Sequence, residues 1–513
     1  MVFMKKIKHP FVLGIIVFLI VLSSFNKAYS DEKKWTDKNE INSLSDESQN
    51  EIERFINKQI KNGKIPGMAV TIVQGDQTIY QKGFGYANIK NKKLVTSTTL
   101  FELSSNSKAF TALGILNLEK QGLIKLDEPV NNYIPWFKMN YKGKFAPITV
   151  EQLLYQTSGI PFNTIDKIPE SNDDNSLEKT VRTLINIELK SKPGVNFHYA
   201  TINYDVLGLL IETITGLSYE TYMEESIINP LGLNNTYLNK NETISKNMAE
   251  GYKLNFLQPQ PFHAAVYRGN KPAGYLISNA VDMGKWLKIQ LGTIPTGEFS
   301  NELMKKSHIS NNGLVQDSSK PAYASGWYTL EKADTVIYHP GNNPNYSSFI
   351  ILNPEQKLGI AVLSNINSAY VSATCDGIYG ILSGKVYNHS VFDENQIADI
   401  ISIILIVLSG FILIITLIRI VKVIRQIVRS ERIHVVKSKK YRLTVTFSLL
   451  FIIVIQYIIH QIPFICTGVS WRFVSVWLPN SVTVAHYFMV IAIWVAYLLF
   501  ILKNLYRLNK GVS

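Results

Sequence analysis

The stretch Phe101-Glu102-Leu103-Ser104-Ser105-Asn106-Ser107-Lys108-Ala109-Phe110 decides how the rest of the chain is read. It carries a Ser-x-x-Lys tetrad, Ser105 and Lys108, and opens a run (Ala109, Leu113, Ile115, Leu116, Leu118) with the apolar spacing of a helix. A serine in the first turn and a lysine three residues later share one helical face. A charged lysine is a poor base, but burial or cationic neighbours lower its pKa. The neutral amine can then take the serine proton and leave a nucleophile. The helix N-terminus beside Ser105 adds backbone N–H groups suited to an oxyanion.

The tetrad is common enough to need company. Other Ser-x-x-Lys matches begin at Ser24, Ser30 and Ser176. The first two fall in or at the end of a stretch that reads as a secretory signal. The third follows the polar loop Ser171-Asn172-Asp173-Asp174-Asn175. What separates Ser105 lies further along the chain.

The 513 residues carry a net charge of +13, which invites a nucleic-acid reading. The distribution excludes it. Residues 1–30 contribute +4 and residues 396–513 contribute +11, which leaves −2 for residues 31–395. Basicity therefore belongs to membrane-flanking segments, and nucleic acid is not an expected partner. Cys375 and Cys466 are the two cysteines, too few for a disulfide framework or a cysteine metal cluster. The sequence calls for no metal or cofactor.

Residues 1–30 have the form of a signal peptide: Lys5, Lys6 and Lys8, an apolar stretch over 11–22, then Ala28-Tyr29-Ser30, with cleavage expected after Ser30. Residues 31–395 form the expected exported domain. After a polar, loose lead to about residue 50, helical spacing covers 52–60. Strand patterns follow at 67–73 and 77–86, turning at Gly75-Asp76. A capped helix is expected from Thr149, and residues 160–192 read as a charged, irregular surface excursion. The segment Phe197-His198-Tyr199-Ala200-Thr201 leads into an apolar helix ending at Gly216. Pro272-Ala273-Gly274 introduces a further helix through Met283, Trp286 and Leu287. From residue 324 to 364 the pattern becomes an antiparallel meander, and 370–382 reads as a closing helix. Strands at both ends with helices between predict an α+β domain, one antiparallel sheet completed by N- and C-terminal segments.

After residue 395 the composition changes. Residues 400–418, 443–466 and 473–502 are uncharged, each long enough to cross a hydrocarbon core of about 30 Å at about 1.5 Å per residue. The expected helices are about 400–418, 443–466 and 480–502, in a membrane domain over 396–513. Nine Lys/Arg lie in 419–442, and Lys503, Arg507 and Lys510 follow the third span. The opposite side carries only Arg472. With an exported N-terminal domain, this places both basic clusters, and the C-terminus, in the cytoplasm. The expectation is a multi-pass protein of the cell membrane, with the lipid bilayer as a partner and the spans available for a homodimer.

Ser105 and Lys108 need a further proton carrier, an oxyanion donor and a substrate edge. Tyr199 lies about ninety residues downstream, and a phenol near a lysine ammonium loses its proton more easily and can pass it to a leaving amine. His339-Pro340-Gly341 sits on a strand of the meander. Gly341 allows close approach, and the N–H of Asn342 can complete an oxyanion hole with that of Ser105.

Ser-Asn-Ser-Lys, Tyr-Ala-Thr and His-Pro-Gly, in this order, resemble the three motifs of serine β-lactamases and penicillin-binding proteins, closest to class C. Residues 154–161, Leu207-Gly208 and Pro230-Leu231-Gly232-Leu233-Asn234-Asn235-Thr236-Tyr237 also match, so the resemblance covers about residues 45–388. It implies a β-lactamase/DD-peptidase-like α+β domain with an all-helical subdomain. Two positions depart from the pattern: Thr201 stands where Asn is usual and His339 where β-lactamases have Lys. A neutral histidine offers a substrate carboxylate less than a lysine does. Both changes argue against penicillin or a free D-Ala terminus as preferred substrate.

The chain further resembles the membrane-bound prodrug-maturing peptidases of nonribosomal-peptide pathways, such as the colibactin and zwittermicin maturation peptidases. The shared stretches include Phe262-His263-Ala264, Ala324-Ser325-Gly326-Trp327, Asn343-Pro344-Asn345-Tyr346-Ser347-Ser348 and Trp471-Arg472-Phe473. The resemblance implies a hydrolase that removes an N-acyl-D-asparagine cap from an exported precursor, with Ser105, Lys108 and Tyr199 catalytic. It implies that Thr201, His263 and Asn343 grip the D-Asn carboxamide, with His339, Gly341 and Asn342 at the substrate edge. The readings that compete are a cell-wall D-amino-acid carboxypeptidase or esterase, and a β-lactam-sensing domain that acylates without turnover.

Overall fold

The structure is a computed structural model and describes residues 44–239, 246–297, 299–310, 321–331, 335–384, 390–435 and 439–509. The expected signal segment, residues 1–30, and Lys510 lie outside the described residues. The chain divides into two compact units, one centred on the catalytic motifs and one on the C-terminal helices.

The first unit is built on an eight-stranded antiparallel sheet. Its strands are β1 (Gly67–Gln74), β2 (Gln77–Asn88), β3 (Lys93–Leu94), β4 (Ala322–Tyr323), β5 (Tyr328–Glu331), β6 (Thr335–Asn343), β7 (Tyr346–Asn353) and β8 (Leu358–Ser364), in the order β4-β5-β6-β7-β8-β1-β2-β3. The pairing of β1 with β8 joins the two ends of the domain, Met68 opposite Ser364 and Gln74 opposite Leu358. The central strands β7 and β8 are buried along their whole length, because helices cover both faces.

On one face lie α1 (Asp46–Gly63) and the closing helix Ala369–Leu382. A Cβ at Gly377 would stand 2.1 Å from Phe55, so the closing helix meets α1 without room for a side chain. On the other face Ala280–Gln290 packs against β1 and β8 and stacks Trp286 on Phe110 at 3.9 Å between ring centres. Phe110 belongs to α2 (Ser107–Lys120), in which nearly every residue through Leu118 is buried. A helix apolar on all sides is a core helix, and α2 is the axis of the helical layer. Beside it lies α3 (Ile202–Thr215), ended by Gly216 at φ +69.

The capped helix at Val150–Leu154 forms with a full capping box, Thr149 against Gln152. Two expectations change. The helix expected after Pro272-Ala273-Gly274 is three elements: a single turn Lys271–Gly274, the short strand Ile277–Ser278, and the helix Ala280–Gln290. Residues 160–192 are not a simple surface excursion, since Leu177, Val181, Leu184 and Leu189 enter the main core. Their apolar side chains are spaced among charges, which hides the buried stripe of a short helix.

In the second unit three helices are long and apolar enough to cross a membrane: Glu394–Val428, Tyr441–Thr467 and Asn480–Leu505, with mean hydropathies of 3.1, 2.1 and 2.2. The uncharged stretch 473–502 is divided at Pro479 into a short helix, Trp471–Trp477, and the spanning helix. The buried Asp399 is capped inside this unit by Ser481 and by the backbone N–H groups of Phe256 and Leu257.

Candidate active site

Ser105 sits on a single 3₁₀ turn, Ser104–Asn106, immediately before α2. The turn is entered through Ser104 at φ +52, a left-handed conformation sparsely populated by non-glycine residues. The surroundings hold it there. Leu103 N–H donates to Leu276 O at 2.7 Å, and Asn106 Nδ2 donates to Ser348 Oγ at 2.7 Å, which in turn donates to Leu103 O at 2.6 Å. The nucleophile turn is thus tied directly to β7.

Lys108 has no accessible surface. Its Nζ lies 3.1 Å from Ser105 Oγ, 3.1 Å from Thr201 Oγ1 and 2.6 Å from the carbonyl of Ala273. Burial pushes its pKa down to about 7, against the opposing pull of Asp205. A neutral amine has two N–H groups and one lone pair. The Ala273 carbonyl can only accept, and Thr201 Oγ1 accepts the second N–H, so the lone pair faces the Ser105 hydroxyl. Gly326, at φ +84, lies against the backbone of Lys108 and Ala109. A Cβ there would stand 2.6 Å from Ala109 Cα and 2.9 Å from the Lys108 carbonyl carbon.

Tyr199 OH donates to Ser105 Oγ at 3.0 Å. Burial raises its pKa, and the hydrogen bond to Ser105 only partly opposes this. This corrects the expectation of an easily ionised tyrosine: desolvation of the phenolate dominates, so Tyr199 works as a phenol. Its ring covers Lys108 Nζ at 5.1 Å from the centroid. Ser105 Oγ therefore accepts from Tyr199 and donates to Lys108, the arrangement of a nucleophile with a general base and a proton carrier in place.

On β6 the side chains alternate. His339, Gly341 and Asn343 turn inward, while Pro340 and Asn342 turn out. A Cβ on Gly341 would stand 2.3 Å from Ser348 Oγ and 2.6 Å from Leu103 O, so only glycine lets the strand lie on the 103–106 segment. Pairing of β5 with β6 stops at Tyr338. Beyond Tyr338 the Asn342 side chain is exposed.

His339 is completely buried. Its Nδ1 donates to Pro340 O at 2.6 Å and its Nε2 accepts from Tyr323 OH at 3.1 Å. Burial and the nearby Lys108 push its pKa down to about 3, so it is neutral at any physiological pH. Both ring nitrogens are engaged and neither faces a substrate carboxylate. Asn343 is also buried, with Nδ2 donating to Glu102 Oε2 at 2.7 Å and to Gly274 O at 2.9 Å. His263 is exposed on the loop after Gln258–Pro261.

The turn Lys271–Gly274 carries no sequence signal of a site element. Pro272 O accepts from Thr111, Ala273 O from Lys108, and Gly274 O from Asn343. A Cβ at Gly208 of α3 would stand 2.3 Å from Pro272 Cγ. The turn Lys271–Gly274 thus touches α2, α3 and β6. Its contacts are made through carbonyls, which leave no mark in residue identity. Glu102, inside the tetrad's own stretch, carries no such signal either, although it is the acid that orients Asn343. The competing tetrad at Ser176 is separated clearly. Its Oγ bonds Ser171 and the Asp173 carbonyl, while Lys179 pairs with Asp173 at the surface.

With a Ser-Lys-Tyr centre on an α+β scaffold of this topology, the class is that of the β-lactamase-like serine hydrolases. The chain matches the Beta-lactamase family model over residues 52–378 and belongs to that family. It is 33% identical to Protein flp of Staphylococcus aureus strain N315 over 448 residues, 86% of this chain and 88% of that protein. It is 30% identical to an unguisins hydrolase, ungD', of Aspergillus campestris over 335 residues, 60% of this chain and 59% of that protein. Among solved structures it is similar to an octameric penicillin-binding protein homologue from Pyrococcus abyssi. The TM-score is 0.59 and the identity 29%, over 67% of this chain and 79% of that one.

Proposed function

We propose that this hydrolase is a membrane-anchored serine peptidase that removes an N-acyl-D-asparagine cap from an exported nonribosomal-peptide-type precursor. The observation that carries the hydrolytic part is Ser105 Oγ held between Lys108 Nζ and Tyr199 OH at 3.1 and 3.0 Å. Ser105 attacks the carbonyl of the D-Asn residue as its proton passes to Lys108. The N–H groups of Ser105 and Asn342 receive the oxyanion. On collapse the C–N bond breaks, and a proton reaches the leaving nitrogen through the Tyr199 hydroxyl, which is restored from Lys108. Water then hydrolyses the ester by the same route in reverse, returning Ser105 and the acyl-D-Asn acid.

The preference for D-Asn is supported by the chemistry of the inward face. Both N–H groups of the Asn343 carboxamide are spent on Glu102 and Gly274, and among the described residues nothing donates to its Oδ1. That oxygen suits the N–H of a primary amide. The Thr201 hydroxyl, which accepts from Lys108, keeps its own O–H to give. His263, on its exposed loop, is the third polar group in this reading. A neutral His339 offers no charge to a free carboxylate, which disfavours a C-terminal D-Ala. The name of one relative as an unguisins hydrolase is in keeping with hydrolysis. The distribution of Lys and Arg supports a catalytic domain on the extracytoplasmic side of the cell membrane, with the C-terminus in the cytoplasm.

The test is kcat/KM for matched acyl-D-Asn, acyl-D-Ala and acyl-L-Asn amides. Each buried polar group left unpaired by alanine costs about 1–3 kcal/mol, and discrimination reaches roughly 10⁴–10⁵ where several coincide. D-Asn should be cleaved far faster than either analogue. Equal rates for D-Ala and D-Asn would move the reading to a cell-wall D-amino-acid hydrolase.

A further inference from the structure

Both residues that flank Tyr199 in the chain are held by one buried glutamine that the steps above do not use. Gln156 follows the capped helix Val150–Leu154 and has no accessible surface. His198 N–H donates to its backbone carbonyl at 2.8 Å, and Ala200 N–H donates to its Oε1 at 2.9 Å. The same Oε1 accepts from Asn203 Nδ2 in the first turn of α3, and Asn203 Oδ1 accepts from Ser158 Oγ at 2.8 Å. The turn continues this hold on the segment leading to Tyr199. Gly194 N–H donates to Thr157 O and Lys190 N–H to Gly159 O, each at 2.8 Å.

Two features make Gln156 a costly choice for a mere chain reversal. Its backbone is left-handed, at φ +58, which residues with a Cβ sparsely adopt. Its Nε2 is buried without a hydrogen-bond partner among the described residues. A glycine would carry neither burden, and Gly159 serves at φ +81 three residues on. What the glutamine adds is the pair of bonds at Oε1, and both end beside Tyr199. A tyrosine side chain has two torsions, so the place of its hydroxyl follows closely from the place of its backbone.

We infer that Gln156 is a positioning residue for Tyr199. It fixes the backbone on either side of the tyrosine and so keeps Tyr199 OH at 3.0 Å from Ser105 Oγ, in place to protonate the leaving nitrogen. In that step the Tyr199 O–H bond breaks and an N–H bond forms on the leaving group as the C–N bond opens. Lys108 returns a proton to the phenol, and Gln156 neither gains nor loses one. The inference rests on Tyr199 acting as the proton carrier.

The experiment measures kcat/KM of the purified full chain on a matched pair, the p-nitroanilide and the p-nitrophenyl ester of one N-acyl-D-Asn acid. Active sites are counted by fluorophosphonate labelling. The anilide leaves only as its nitrogen gains a proton, whereas p-nitrophenolate leaves without one. General acid–base steps carry roughly 10²–10⁴, so Gln156→Leu should lower the anilide value about tenfold or more and the ester value about threefold or less. Placed on Tyr199→Phe, Gln156→Leu should remove little more from the anilide, because residues acting through one group are not additive. If Gln156→Leu loses its cooperative melt, the comparison is made with Gln156→Asn. Asparagine suits the left-handed backbone and draws the acceptor back by one methylene. Equal losses on both substrates, an unchanged anilide value, or additive losses in the double variant would overturn the inference and leave Gln156 part of the scaffold. A Tyr199→Phe enzyme that spares the anilide would defeat the proton-carrier reading and the inference with it. A wild type inert to both substrates would defeat the D-Asn reading alone, and the comparison then moves to the acyl-D-Ala pair.

Discussion

Lowering the pH should switch this enzyme off through Lys108, and the structure sets where. Lys108 must be neutral to accept the Ser105 proton, and burial places its pKa at about 7. From that value about nine-tenths of the lysine is free base at pH 8 and about one-tenth at pH 6, so acylation should drop about tenfold per pH unit below 7. Neither His339, which titrates at about 3, nor Tyr199, raised above its ordinary value, accounts for this limb. The linked effect on stability has its own sign. The folded-state value lies below the ordinary 10.5, so between the two the unfolded chain binds more protons and stability rises with pH; the penalty is fully present below about pH 7. The assay is the rate of Ser105 labelling by a fluorophosphonate, with the reaction of Ser105→Ala subtracted. A rate that stays flat from pH 8 to pH 5 would refute the neutral-lysine mechanism.

Tyr199→Phe removes the hydroxyl from Ser105 Oγ without opening a cavity. Turnover should fall by about 10²-fold or more with an unchanged melting temperature, as general acid–base steps carry roughly 10²–10⁴; near-normal turnover would reduce Tyr199 to a ring covering Lys108. Gly341→Ala forces a methyl group against Ser348 and Leu103 O and must push β6 off the nucleophile turn. An ångström-scale shift of the substrate edge should cost about 10²-fold in kcat/KM, and an unaffected variant would show that β6 does not fix the substrate.

Much of the centre could be read from the sequence because its parts are local. The Ser105/Lys108 spacing is a helical repeat, Tyr199 stands just before an apolar helix, and His339-Pro340-Gly341 lies on an alternating strand. The strands β1 and β8 were legible separately, and their pairing followed from the need to close one sheet. What escaped depends on contacts between distant segments. The carbonyl of Ala273 and the acid of Glu102 act through geometry that no residue pattern encodes. The direction of the Tyr199 shift depends on how deeply the phenol is buried, which the sequence around it does not state. The core residues of 160–192 were masked by charges on the outer side of short helices.

The most direct measurement is to quench the full-length enzyme during turnover of an acyl-D-Asn amide and map the acylated peptide by mass spectrometry. The account predicts an acyl-D-Asn adduct on Ser105, absent in Ser105→Ala and retained in Ser176→Ala. An adduct elsewhere, or one that survives in Ser105→Ala, would contradict it.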